Sequence, residues 1–274
     1  GTLGLVYNSS VDSEEMKSWS SLWKTNKSFT IKDSMRDTYF IGLAKYYENE
    51  LLEAKGEYQK GDITLLEYKN RLNGYFNNTE ASVVNSVKGL LKTLKNRSYG
   101  LEVDSGKNDI ISGKININFA WSGDAVYAIQ EAEKKGVNLY YSVPEEGSNV
   151  WFDGWCVPKT SKKLDVAKEF INFISMPSSV KKNMDYIGYV SCIAGQDIYN
   201  YVLDNHNVEN GTYEVDLGYF FGNGNYKVKT NSLNGEFSAQ YPSKEIVDRC
   251  VIMSYFNGTA NQRISEMWAE FSVS

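Results

Sequence analysis

Histidine occurs once in the 274 residues, as His206 in the polar run Asp204-Asn205-His206-Asn207. That argues against a Ser/His/Asp triad and against a His-rich zinc site. Cysteine occurs three times, at 156, 192 and 250. This spacing fits no metal motif and allows at most one disulfide, so the three are expected as small buried hydrophobes. Neither a metal nor another cofactor is expected. No apolar run approaches the ~18 residues of a membrane span, and no secretory signal is visible. The chain opens directly on the apolar run Leu3-Gly4-Leu5-Val6-Tyr7, as a piece of a longer protein would. Basic residues are outnumbered by acidic ones, 29 to 34, giving a net charge of −5. That argues against nucleic acid and anionic membrane surfaces as partners.

What the chain does have is an ordinary apolar share of 42% and a high aromatic share of 14%, with 20 tyrosines. The first fits a folded protein of one or two domains. The second fits a surface that handles flat or apolar-bodied ligands. The densest aromatic stretch is Val150-Trp151-Phe152-Asp153-Gly154-Trp155-Cys156-Val157. Its composition predicts a strand, in which Trp151, Asp153 and Trp155 share one face and Phe152 and Cys156 the other. A carboxylate between indoles is costly to bury unpaired but well suited to an organic cation, each indole face adding ~0.5–2 kcal/mol of cation–π attraction. The plainer alternative is a surface strand whose Asp pairs locally.

Around this stretch the pattern alternates strands and helices. Strands are expected over 2–8, 29–31, 115–120 and 137–143, with strand-like pieces at 213–217 and 226–230. Helices are expected over 11–23, with Trp19 and Trp23 as an i, i+4 core pair, then over 35–52, 81–94, 166–174, 180–187, from Ser243 to about 253, and 264–271. Residues 53–73 read as a solvated helical insertion and 98–109 as a polar loop. Asp33-Ser34 is an N-cap pair for the 35–52 helix, and Asp37 lies in its first turn, where the helix dipole favours an acid. Arg36 beside it is expected to pair with another acid. Trp121-Ser122-Gly123-Asp124 ends one strand and starts a helix, the place where ligands sit in open α/β sheets; Asp124 is expected to cap that helix and border the site.

Several stretches resemble a known family. Gly113 to Ala125 (Gly-Lys-Ile-Asn-Ile-Asn-Phe-Ala-Trp-Ser-Gly-Asp-Ala), Val143 to Asp153 (Val-Pro-Glu-Glu-Gly-Ser-Asn-Val-Trp-Phe-Asp), Ile171-Asn172-Phe173-Ile174 and Ile187-Gly188-Tyr189 look like the spermidine/putrescine-binding proteins of bacterial ABC importers. So do Gly4-Leu5-Val6-Tyr7-Asn8, Ser18 to Lys24, Asp33 to Asp37 and Tyr241-Pro242-Ser243. The resemblance covers nearly the whole chain. It implies an α/β, type II periplasmic-binding-protein-like fold of two lobes that close by a hinge, outside the cytoplasm, with an ABC-transporter permease as membrane partner. It allows the parent protein to be tethered to the membrane or fused to its permease.

Residue by residue, the resemblance implies that Asp153 binds an ammonium or secondary amine of a polyamine. Trp151 and Trp121 pack on its methylene chain, Asp37 takes one amine end, and Tyr189 lines the cleft. A second family acid falls on Ser34, with Asp33 beside it, and a late polar contact falls near Met253. Most of the family's first lobe is unmatched. The chain is therefore expected to be mainly lobe two, 1–150 and 198–274, with a lobe-one remnant at 151–197. The insertions near 53–73 and 205–236 are longer than the family usually carries. Asp153 is expected to matter more than Asp37, because rings would exclude water from it.

A non-enzymatic polyamine binder is thus the leading expectation. Two alternatives use the same residues. One is a carbohydrate-active hydrolase with Asp37 and Asp153 as its carboxylate pair. The other is a binder of a different small solute on the same fold.

Overall fold

The computed structural model describes residues 1–273. The chain begins with strand β1 (Leu3–Asn8), a 3-10 turn (Glu15–Lys17), the short helix α1 (Ser21–Lys24) and strand β2 (Phe29–Lys32). The single helix expected over 11–23 is therefore broken. Ser18 is extended, at φ −129 and ψ 136. Its hydroxyl donates to the Glu146 carboxylate, which also accepts the Trp19 backbone N–H at 3.1 Å. This tertiary partner pulls Ser18 out of the helix. The two indoles consequently leave one another: Trp19 donates to Gly147 O and Trp23 to Leu90 O.

Helices α2 (Met35–Tyr46), α3 (Glu48–Lys60), α4 (Leu65–Phe76) and α5 (Ala81–Arg97) follow. The expected 35–52 helix splits at Tyr47, whose ring lies 4.8 Å from that of Tyr75 and whose hydroxyl accepts from Asn78. The reading of 53–73 as helical holds, and α4 starts on a Thr64–Glu67 capping box. The helix expected over 81–94 is α5, whose Val83, Val84, Val87, Leu91 and Leu94 are all buried. Residues 98–109, expected as loop, instead hold strand β3 (Gly100–Glu102) and the start of helix α6 (Gly106–Ile111).

Then come β4 (Ile117–Trp121), α7 (Ser122–Glu133), β5 (Leu139–Ser142) and β6 (Ser148–Asn149). The aromatic stretch after β6 is not a strand. Thr2 bridges Val150, and Trp151 exchanges backbone bonds with Gly1 at 2.9 and 3.0 Å. Beyond these, among the described residues, no neighbouring strand pairs with 152–157, and alternation without a partner to bond does not make a ladder. Helices α8 (Leu164–Ile174), α9 (Pro177–Ile187) and α10 (Gln196–His206), the hairpin β7 (Tyr213–Asp216) and β8 (Lys227–Thr230) around α11 (Gly218–Phe221), then α12 (Glu236–Gln240), α13 (Lys244–Asp248), β9 (Cys250–Val251) and α14 (Gly258–Val273) complete the described chain.

Five strands form the main sheet in the order β3-β2-β4-β1-β5. β2 runs parallel to β3 and β4, while β1 is antiparallel to β4 and β5. Both faces are covered, so β1 reads as an almost unbroken apolar run. Alternation sorts its side chains: Leu3, Leu5 and Tyr7 join the core under α2, α5 and α14, whereas Val6 joins the core under α7. A third, smaller core lies elsewhere. Val180 and Met184 of α9 meet Val202 of α10, Val215 and Val228 of the hairpin, and Phe237 and Tyr241. Cys250 is buried as expected, but Cys156 and Cys192 are exposed free thiols. Both sit in the 151–193 segment, where few side chains are buried. Among the described residues no helix is long and apolar enough to cross a membrane.

Candidate functional site

Because β2 and β4 are parallel neighbours, their carboxyl ends lie side by side, and each is followed by a helix. The first turn of α2 delivers Asp37 and the end of β4 delivers Trp121. The Trp121 indole N–H donates to Asp37 Oδ2 at 3.1 Å. Asp37 is 9% exposed. Burial raises its pKa above the ordinary aspartate value; the Ser34 hydroxyl, the Trp121 N–H, Lys32 and Arg36 pull the other way.

Trp151 and Asp153 enter from the opposite side, on the chain that leaves the Thr2–Val150 bridge. Tyr189 follows Gly188, which ends α9 in the left-handed region at φ +74. Its ring presses on Gly123 in the first turn of α7, where an added Cβ would sit 2.0 Å from the ring carbons. Burial pushes the Tyr189 phenol up. Asp37, Trp121, Trp151, Asp153 and Tyr189 all line one cleft of about 1050 Å³. Five of the eight residues singled out from the sequence are therefore brought together.

The other three are not on the lining. Ser34 is the N-cap of α2 and accepts the Asp37 backbone N–H at 3.4 Å. Asp33 is exposed, and its N–H donates to Glu102 O. Asp124 does not cap α7, because the N-cap position belongs to Trp121. Asp124 instead pairs with Lys107 at 3.2 Å and Lys32 at 3.5 Å behind the cleft wall. Among the described residues Arg36 pairs with no acid, contrary to expectation; it donates to Ser254 O and stacks 3.8 Å over Phe256. The expected ranking of the two acids also loses its premise. Asp153 is exposed, as are Phe152 and Trp155, so rings do not exclude water from it, and Asp37 is the desolvated carboxylate.

Sequence reasoning missed the group that supports Trp121. Lys32 is 1% exposed, pairs with Glu102 at 2.9 Å, donates to Val103 O and lies 4.3 Å from the Trp121 ring centroid. Its one available signal was a lysine ending the apolar strand Phe29-Thr30-Ile31. Asn149 and Gln240 also line the cleft unannounced. Asn149 accepts the Met253 backbone N–H at 3.3 Å, and Met253 itself is not on the lining. Gln240 is held by His206 and donates to Gly188 O. Among the described residues no His, Cys, Asp and Glu cluster could hold a metal.

Comparison with known proteins places this geometry. Putrescine-binding periplasmic protein PotF of Escherichia coli is 34% identical over 86 residues, 31% of this chain and 23% of that protein. Spermidine/putrescine-binding periplasmic protein 1 of Haemophilus influenzae is 22% identical over 192 residues, 69% of this chain and 45% of its own length. The match thus spans less than half of either relative. A spermidine/putrescine ABC transporter structure from Listeria monocytogenes superposes with a TM-score of 0.68 at 20% identity, covering 99% of this chain and 66% of the other. The substrate-binding protein PotD of Streptococcus pneumoniae gives 0.63 at 23% identity, covering 100% and 67%. At these identities the structures establish the fold, which is that of type II periplasmic-binding proteins. Residues 1–197 match the family described as bacterial extracellular solute-binding protein, and the chain belongs to that family.

Proposed function

We infer that this chain is part of the substrate-binding component of an ABC importer, working outside the cytoplasm, and that its cleft takes an aliphatic polyamine. The observation that carries this reading is the shared lining: two carboxylates, Asp37 and Asp153, with Trp121, Trp151 and Tyr189 in one cleft. A flexible polycation needs acids to neutralise its amines and flat apolar walls for its methylenes. The names of the relatives from E. coli and H. influenzae support the same substrate class.

On this reading the protein performs no chemistry. Ligand bridges the two sides, a hinge closes them, and the closed surface meets a membrane permease. The division into lobe two (1–150 and 198–274) and a lobe-one segment (151–197) belongs to the same proposal. The core shared by Met184, Val202 and Phe237 sits across its second boundary.

Isothermal titration with putrescine and spermidine at low and moderate salt tests the reading. Binding that weakens as salt rises is expected. Absence of heat with either amine, together with turnover of a glycoside, would replace it with the hydrolase alternative.

A further inference from the structure

The sole histidine lies outside the cleft, yet it is bonded to a residue that lines it. His206 ends α10 and Gln240 ends α12. His206 Nε2 and Gln240 Oε1 are 2.9 Å apart, and Gln240 Nε2 donates to Gly188 O at 3.4 Å. Gln240 is buried and sits on the cleft lining; His206 does not.

The direction of both bonds follows from the partners. Gly188 O is a carbonyl and can only accept, so the amide nitrogen of Gln240 must face it. That turns Gln240 Oε1, also an acceptor only, toward the imidazole. His206 Nε2 must therefore carry a proton. Burial holds the imidazole below its ordinary pKa, with Glu236 and the Gln240 bond pulling the other way. At neutral pH the ring is neutral and has a single N–H to give. Gln240 sets the tautomer of the ring, and the ring sets the orientation of Gln240.

The far end of this relay is a close contact. The Gly188 carbonyl closes α9 and has no partner within that helix. Gly188 packs so tightly on the first turn of α7 that an added Cβ would meet Gly123 O at 2.9 Å and Val126 Cβ at 3.3 Å. Tyr189 follows directly, with its ring on Gly123. The Gly188 carbonyl and the Tyr189 N–H belong to one planar peptide unit, so holding the carbonyl holds the start of Tyr189.

Resting on the polyamine reading above for the ligand, we propose that His206 and Gln240 are positioning residues for the cleft. The imidazole N–H fixes the Gln240 amide, the amide fixes the Gly188–Tyr189 peptide, and the peptide sets the Tyr189 ring against α7. Without a donor at 206, Gln240 Oε1 is buried unpaired, and an amide that turns to escape this brings oxygen against the Gly188 carbonyl.

The test pairs His206→Phe with His206→Gln. The first keeps a flat ring beside Phe237, 5.5 Å away, and removes the N–H; the second keeps an N–H donor. Two readouts are taken on each protein. One needs no ligand: the backbone amide resonance of Gly123, which the Tyr189 ring covers and shifts. The other is putrescine affinity by calorimetry. His206→Phe is expected to move the Gly123 resonance and to weaken putrescine by about two- to tenfold, the worth of one intramolecular hydrogen bond. His206→Gln is expected to return both toward the parent. In a Tyr189→Ala background, His206→Phe is expected to leave affinity unchanged, because the residue it acts through is gone. A Gly123 resonance unmoved by His206→Phe would overturn the relay. Equal losses from His206→Phe and His206→Gln would overturn it in favour of imidazole packing. A further loss in the Tyr189→Ala background would overturn the route through Tyr189. No heat from the parent with putrescine or spermidine would overturn the polyamine reading, and the Gly123 resonance would still decide the relay.

Discussion

The two walls of the cleft are built in opposite ways. On the wall formed by β2, β4 and their helices, even a lysine is 1% exposed. On the wall formed by residues 151–193, Phe152 is 73% exposed, Trp155 69% and Phe170 49%. No residue of α8 is buried at all, although its apolar positions are regularly spaced. The first wall presents Asp37 and Trp121 already hydrogen bonded to one another. The second presents Trp151 and Asp153 on chain with little around it. The first wall is thus held by its own buried partners, whereas the second wall's rings have few neighbours within residues 1–273.

The strongest way to break this contrast is Lys32→Met. It leaves the buried Glu102 without its cation, Asp124 keeping Lys107, and should cost about 3–5 kcal/mol in stability; denaturant unfolding measures it. A loss below about 1 kcal/mol would mean that the first wall is no more fixed than the second.

Asp37→Asn should separate binding from folding, because its two effects have opposite signs. The Asp37 carboxyl has its pKa raised by burial. Ionising it therefore opposes folding, an effect that begins as pH rises through the ordinary carboxylate range and is complete above the folded value. At neutral pH the amide variant should melt higher than the parent, while amine affinity falls by roughly 10–100-fold. The same raised pKa predicts that the parent loses affinity as pH drops through it, since a proton competes with the amine. Calorimetry between neutral and mildly acid pH reads this directly. Asp153→Asn, on an exposed carboxylate, should cost less affinity, roughly 0.2–1 kcal/mol.

Gly123→Ala sharpens the comparison at the point where the walls touch. The new methyl group must displace the Tyr189 ring. If the second wall is loosely held, the ring moves away, and stability should change by less than about 1 kcal/mol while affinity falls severalfold. The smallest effect is expected for Phe170→Ser. This ring is half exposed and meets Trp155 edge-on at 5.5 Å. Its loss should move stability by no more than about 0.5 kcal/mol.

The same asymmetry decides what could be read from sequence. Elements that carry their own periodicity were legible: β1, α5, the pieces that became β7 and β8, and the strand-to-helix step at Trp121. Trp121, Trp151, Asp153, Asp37 and Tyr189 were legible through family resemblance, and they do meet in one cleft. What escaped depends on distant partners. β3 is three residues long and exists because Gly100–Glu102 aligns with Thr30–Lys32. Ser18 leaves the helical path because Glu146, 128 residues away, holds its hydroxyl. Residues 151–157 have the composition of a strand, yet a strand is a relation between two chains of backbone groups and cannot be read from one. Lys32 was passed over for a similar reason. A lysine at the end of an apolar strand signals nothing until Glu102, Asp124 and Trp121 are folded around it.

The backbone crossing beside the cleft has a mechanical consequence. Thr2 bridges Val150, Gly1 and Trp151 bond reciprocally, and Ser148–Asn149 lies parallel to Cys250–Val251. Three separate passes of the chain thus lie side by side in a narrow ribbon. Such a three-ply ribbon resists bending in its own plane and yields to torsion along its length. A few degrees of twist, spread over several residues and breaking no bond, would be multiplied by lever arm into a much larger displacement at the far end of α8.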